Sequence, residues 1–224
     1  MAASTSTFPT LSRVEPAHSV IRPPDFRAAA FTTAAAGDLR AGDRTVVADV
    51  LGISAAWTTV NQVHGDRVVE VSEPGVASDA DALFTTITQL PLAVFGADCA
   101  LILVEAATAV GVAHAGWRGT RAGVAAALVS AMCDAGHHPQ RAAIGPTIGT
   151  CCYEVGPEVL AEFGCFASTT DRNTPSIDLV AANLHQLGDL DTWAGGACTK
   201  CGGDFYSYRA DRTSDRMAGV AWLP

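Results

Sequence analysis

Three apolar segments follow one another closely in the middle of the chain: LAVFG (92–96), LILVE (101–105) and AVGVAH (109–114). Each is short for a helix and lacks polar alternation, so each reads as a buried strand that needs packed layers on both sides. WTTVNQV (57–63) and RVVEV (67–71) read as strands on either side of a turn at His64-Gly65-Asp66, and RAAIG (141–145) and RMAGVAWL (216–223) as further strands. Helical patterns fall between them: residues 121–136 with Thr120 as N-cap and Gly136 as stop, 156–164, and 178–188 between Asp178 and Gly188. Strands at the centre with helices interspersed predict an α+β fold, a mixed β-sheet layered with helices as an αβ sandwich. A length of 224 residues suits a single domain. Pro9, Pro16, Pro23 and Pro24 mark residues 1–25 as a loose N-terminal arm, leaving 26–224 for that domain.

The third apolar segment ends in GVAHAGWRG (111–119), with a histidine where a core would take another aliphatic residue. If 101–105 and 109–112 form an antiparallel hairpin linked around Ala106-Ala107, the numbers of opposed residues sum to about 213. That pairs Cys99 with His114, with Cβ atoms roughly 5 Å apart, close enough for a thiolate and an imidazole to share one metal ion. A catalytic metal needs a third protein ligand. His18 lies in the arm, His137 and His138 at a helix end, and His185 on an amphipathic helix. His64 sits at a strand end before a glycine, in the same strand-to-turn setting as His114, although position alone leaves its role open. Arg118 comes next to a helix start, where a guanidinium can hold an anion such as phosphate. CTKC (198–201) has the spacing of a metal knuckle without a second such pair, and Cys151-Cys152 reads as packing.

NQVHGDRV (61–68), ADCALIL (97–103), AHAGWRG (113–119), IGPTIGTCCYEVGPEV (144–159) and FYSYRAD (205–211) occur in an order that resembles the YfiH/laccase-domain family. That family is also labelled polyphenol oxidase, peptidoglycan editing factor and purine nucleoside phosphorylase. The resemblance runs from about residue 57 to the C-terminus. It implies zinc on His64, Cys99 and His114, with an open fourth position for water or substrate. It also implies phosphorolysis of purine nucleosides, with adenosine deamination as a second activity and small molecules, nucleoside and phosphate, as partners. FTTAAAGDLRAGDRT (31–45) replaces a family segment that normally helps line the substrate pocket, and SYRADRTSDR shortens the usual ending.

Two rival chemistries use the same residues. Cys99 as nucleophile with His114 as base would give a cysteine hydrolase or amidase of peptidoglycan precursors. Copper in place of zinc would match the oxidase label, although multicopper chemistry needs more imidazoles than six histidines provide once the arm and helix histidines are set aside. Asp98 stands beside the cysteine and could serve as a general acid, a structural role being the expectation.

The remaining bounds come from composition. A net charge of −9 without a basic stripe argues against nucleic acid. The longest apolar run, Pro91 to Val104, is too short for a bilayer and is interrupted by Asp98, so no membrane helix is expected. Seven cysteines and no visible secretory signal predict reduced thiols and a cytoplasmic setting. Oligomeric state is not fixed by the sequence, and a monomer is compatible with it.

Overall fold

The computed structural model describes residues 19–224. Of the expected arm, residues 1–18 lie outside the described residues, and Val20–Ile21 form an edge strand, β1, against β2 (Ala29–Thr32). The fold is α+β as expected, but with two six-stranded mixed sheets. One sheet runs in the order β1, β2, β14 (Met217–Ala221), β7 (Leu92–Gly96), β3 (Thr58–Asn61), β5 (Gly75–Asp79). The other runs β13 (Asp191–Ala194), β10 (Pro139–Ile144), β8 (Ala100–Ala106), β9 (Val110–Ala115), β6 (Ala82–Thr85), β4 (Val68–Glu70). A short hairpin of β11 (Ala167–Thr169) and β12 (Pro175–Ile177) stands apart.

Strand periodicity explains the layering. Leu101 and Leu103 of β8 and Val110 and Val112 of β9 point between the sheets, into a cluster with Phe31, Leu92 and Val94. Their alternates Ile102, Val104, Ala113 and Ala115 point outward and pack on α3 (Val124–Asp134) and α5 (Leu179–Leu187). On the far side, α1 (Thr45–Leu51) covers the other sheet through Val47 and Leu51 against Trp57, Ala93 and Phe95. Each fully buried Leu or Val contributes roughly 1.5–3 kcal/mol, so these clusters dominate the stability. Gly111 permits close helix–sheet contact, since a Cβ there would lie 2.9 Å from Leu128 Cδ1. A buried strand looks the same in sequence whether a helix or a second sheet covers it, which is why one sheet was expected.

Three local expectations change. The hairpin tip is Ala107-Thr108, closed by Ala106 N–H donating to the Ala109 carbonyl at 2.9 Å, one position later than expected. Opposed residues are therefore Leu101 with His114 and Ala100 with Ala115, and Cys99 lies just outside β8, diagonal to His114. Thr120 is not an N-cap: it is buried inside α2 (Trp117–Ala122), where Asn183 Nδ2 donates to its hydroxyl at 3.0 Å. The break comes at Gly123, whose φ of 93° separates α2 from α3. Finally, β3 and β4 belong to different sheets, so the chain crosses from one to the other at His64. Two further helices, α4 (Pro157–Phe163) and α6 (Tyr208–Asp211), lie on the C-terminal half, and Asp178 caps α5 as expected. Among the described residues no helix is long and apolar enough to cross a membrane.

Candidate metal centre

The crossing between the sheets brings His64, Cys99 and His114 together, with one donor atom from each lying within 4.8 Å of the others. The hairpin register differs from expectation by one residue on each strand, which preserves the face, so Cys99 still lies on the side of His114. The two imidazoles meet edge to face with centroids 4.8 Å apart.

Each donor is held by its surroundings. His64 has a φ of 64°, a left-handed conformation costly for a residue with a Cβ, and occupies the sharp turn after β3. Gln62 fixes that strand's end: its amide donates to the Phe95 carbonyl and accepts from the Phe95 N–H, both at 2.8 Å. Gly116 leaves room for the donors, since a Cβ there would lie 2.8 Å from Cys99 Sγ and 3.3 Å from His64 Cδ2. This accounts for the glycine after HA in the motif.

Asp81, which the sequence reading missed, organises both histidines. It is fully buried, and its Oδ1 lies 2.9 Å from His114 Nδ1, fixing that ring and leaving Nε2 for a metal. Its Oδ2 accepts from the Val63 and Gly65 N–H groups at 3.1 and 2.7 Å, on either side of His64. Burial raises the Asp81 carboxyl, but the hydrogen bond and charge of His114 and the Gly65 amide outweigh it and hold the group below its ordinary value. A carboxylate immediately before the apolar ALFT strand was the available signal, because a buried charge must have a partner.

The same network sets the thiol. Burial raises Cys99, yet the charge and hydrogen bond of His114, with those of His64, bring it down to about 6. Burial lowers His114, and the Cys99 thiolate with Asp81 pushes it up to about 9. Without metal the pair is a thiolate and an imidazolium between those values. Alkylation of Cys99 in metal-free protein should therefore persist as pH falls from neutrality and fail only below about 6. A midpoint near the ordinary value of about 8.5 would contradict the ion pair.

The donors open onto a cavity of about 550 Å³, also lined by Gln62, Tyr208, Arg40, Arg44 and Arg216. This falls within the roughly 300–1,000 Å³ typical of small-molecule sites. Arg44 lies over the Trp57 and Phe95 rings and donates to the Leu39 carbonyl, and Arg216 donates to the Thr213 and Asp215 carbonyls. The Arg40 guanidinium has no such partner among the described residues. Arg40 and Arg44 belong to the 31–45 segment, which thus lines the cavity although its sequence departs from the family pattern. Arg118 does not line it: the side chain is exposed and lies over Trp117 at 4.3 Å. Asp98 is committed structurally, accepting from the Thr199 hydroxyl and the Arg209 N–H, each at 2.6 Å.

One thiolate and two imidazoles, oriented by a carboxylate and open to a cavity, can hold a divalent ion with a free coordination position. Residues 37–224 match the family described as multi-copper polyphenol oxidoreductase laccase. A Streptomyces griseus protein named purine nucleoside phosphorylase is 42% identical over 189 residues, covering 77% of each chain. One of the same name from Escherichia coli, YfiH, is 36% identical over 73% of this chain and 72% of its own. The crystal structure of YlmD from Geobacillus stearothermophilus superposes with a TM-score of 0.81 at 28% identity, covering 93% of this chain and 97% of that one.

Proposed function

This chain belongs to the multi-copper polyphenol oxidoreductase laccase family, and from that premise we propose that it is a zinc-dependent purine nucleoside phosphorylase of the cytoplasm. It would convert adenosine, inosine or guanosine and phosphate to free base and ribose 1-phosphate, with slow adenosine deamination at the same site. The observation that carries this reading is the joining, in one cavity, of a His2Cys donor set to the uncommitted guanidinium of Arg40. When bound, zinc supplies Lewis acidity and an open position for a substrate heteroatom or water. Arg40 draws phosphate into the cavity, with Arg44 and Arg216 adding positive charge. A phosphate oxygen bonds to ribose C1′ as the bond from C1′ to the base nitrogen breaks, and the electron pair leaves with the base. The anion stabilises the oxocarbenium-like transition state. Asp81 keeps His114 in the tautomer that the metal requires. The relatives' name supports this activity. Copper oxidase chemistry is disfavoured because, among the described residues, no second cluster of histidines accompanies the triad.

A second reading has its own observation: without metal, Cys99, His114 and Asp81 are arranged as a thiol hydrolase would arrange nucleophile, base and orienting acid. Metal occupancy discriminates, because a coordinated thiolate cannot attack an amide.

Incubation of zinc-loaded protein with each nucleoside, with and without phosphate, tests the proposal. Base release should require phosphate, and inosine formation from adenosine should not. A protein that cleaves an amide or oxidises a phenol, yet releases no base, would refute it. Within that assay Arg40→Ala should raise the KM for phosphate about tenfold or more, since a hydrogen bond to a charged group is worth roughly 1.5–3 kcal/mol. Arg118→Ala, the change favoured by sequence alone, should have the smaller effect. The reverse order would return the anion to Arg118.

A further inference from the structure

We propose that Cys151, Cys152, Cys198 and Cys201 hold a second zinc ion, separate from the His64, Cys99 and His114 triad, as a structural staple. The sulfur atoms of these four residues all lie within 4.8 Å of one another. Cys201 Sγ is 3.4 Å from Cys151 Sγ and 3.2 Å from Cys152 Sγ. A tetrahedral ion with Zn–S of about 2.3 Å spaces its sulfurs about 3.8 Å apart, so small movements close the four thiolates on one ion. All seven cysteines are free thiols, and a soft four-sulfur set selects zinc over harder divalent ions.

The surroundings are built for that purpose. Gly149 N–H donates to Cys198 Sγ at 3.2 Å, the kind of bond that stabilises a thiolate ligand. The same glycine accepts from the N–H groups of Cys152 and Tyr153, both at 3.0 Å, closing the turn that carries the vicinal pair. A Cβ on Gly149 would lie 3.2 Å from both Cys151 Sγ and Cys198 Cβ, so a side chain there would crowd the cluster. The two segments are held side by side by Thr147 N–H on the Ala197 carbonyl and Thr199 N–H on the Thr147 carbonyl, each at 3.2 Å. CTKC therefore does have a second pair, brought in by a loop far upstream.

The staple bears on the triad as a positioning device. The Thr199 hydroxyl, inside CTKC, donates to Asp98, the residue before Cys99. An ion joining the two segments thus braces the turn that presents Cys99. This site does not depend on the phosphorylase reading, and its test is a metal count.

Metal analysis of full-length protein purified without chelator should give about two zinc ions per chain, one per site. Cys201→Ser, at an exposed position that tolerates serine, and Cys152→Ser should each lose about one equivalent while Cys99 stays protected from alkylation. Cobalt reconstitution supplies a second readout. The thiolate-to-cobalt absorption of the wild type should fall sharply in either variant, leaving the weaker band of the single-thiolate triad. About one zinc per chain in wild type, unchanged by either substitution, would overturn the proposal. So would iron in place of zinc, or a disulfide among the four under non-reducing alkylation.

Discussion

His64→Gly is expected to leave a folded protein with an empty triad and nucleoside turnover slower by about a thousandfold. A Lewis acid held by the triad would contribute several kcal/mol to the transition state, and about 4 kcal/mol corresponds to about a thousandfold in rate. His64 is the member of the triad to test because it is exposed and its loss leaves no buried charge. Its φ of 64° also makes glycine the favourable replacement. In the metal-free state His64→Gly should be about 1 kcal/mol more stable than His64→Ala, because glycine adopts the left-handed region at little cost. Measured by denaturant unfolding in chelator, equal stabilities would mean that the turn is not strained. Full activity in His64→Gly would remove this residue from the ligand set.

The second large effect belongs to Asp81→Asn. The carboxylate accepts from His114 through one oxygen and from Val63 and Gly65 through the other. An amide offers one acceptor and turns a donor toward one of these N–H groups. Either the His114 ring loses its orienting partner or the His64 turn loses its anchor. Metal affinity should fall about 10- to 100-fold, the usual cost of losing a ligand's orienting partner. Stability should fall by about 1–3 kcal/mol for the buried donor left unmatched. A purely structural role would lower stability alone. The distinguishing readout is His114 in metal-free protein, whose protonation midpoint should fall from about 9, because the Asp81 hydrogen bond and charge help to hold the imidazolium.

What the sequence discloses about this fold is what is local. The strands at 92–96, 101–105 and 109–114 and the Asp178-capped helix are found where periodicity and capping predict them, because each is specified by adjacent residues. The hairpin register was displaced because the Ala107-Thr108 tip carries no Asn-Gly or Gly-rich mark. Face parity survived the displacement, so the association of Cys99 with His114 did too. The second sheet and Asp81 are not legible, since their meaning comes from partners distant in sequence. Asp81 acquires its role only when β6 pairs with β9 and sets it beside His114. The four-cysteine cluster is hidden in the sequence for the same reason: CC and CTKC meet only when Thr147 and Thr199 bring the two segments together. Arg118 lies within α2 with its side chain over Trp117, whereas the cavity lies on the side of Arg40.

Zinc titration into metal-free protein, reading ribose 1-phosphate formation and Cys99 alkylation on the same samples, tests most directly whether the triad is the catalytic centre. Phosphorolysis should rise in step with protection of Cys99 and reach its plateau when protection is complete, whatever the order in which the four-cysteine site fills. Full turnover while Cys99 remains open to alkylation, or complete protection with no ribose 1-phosphate formed, would contradict the account.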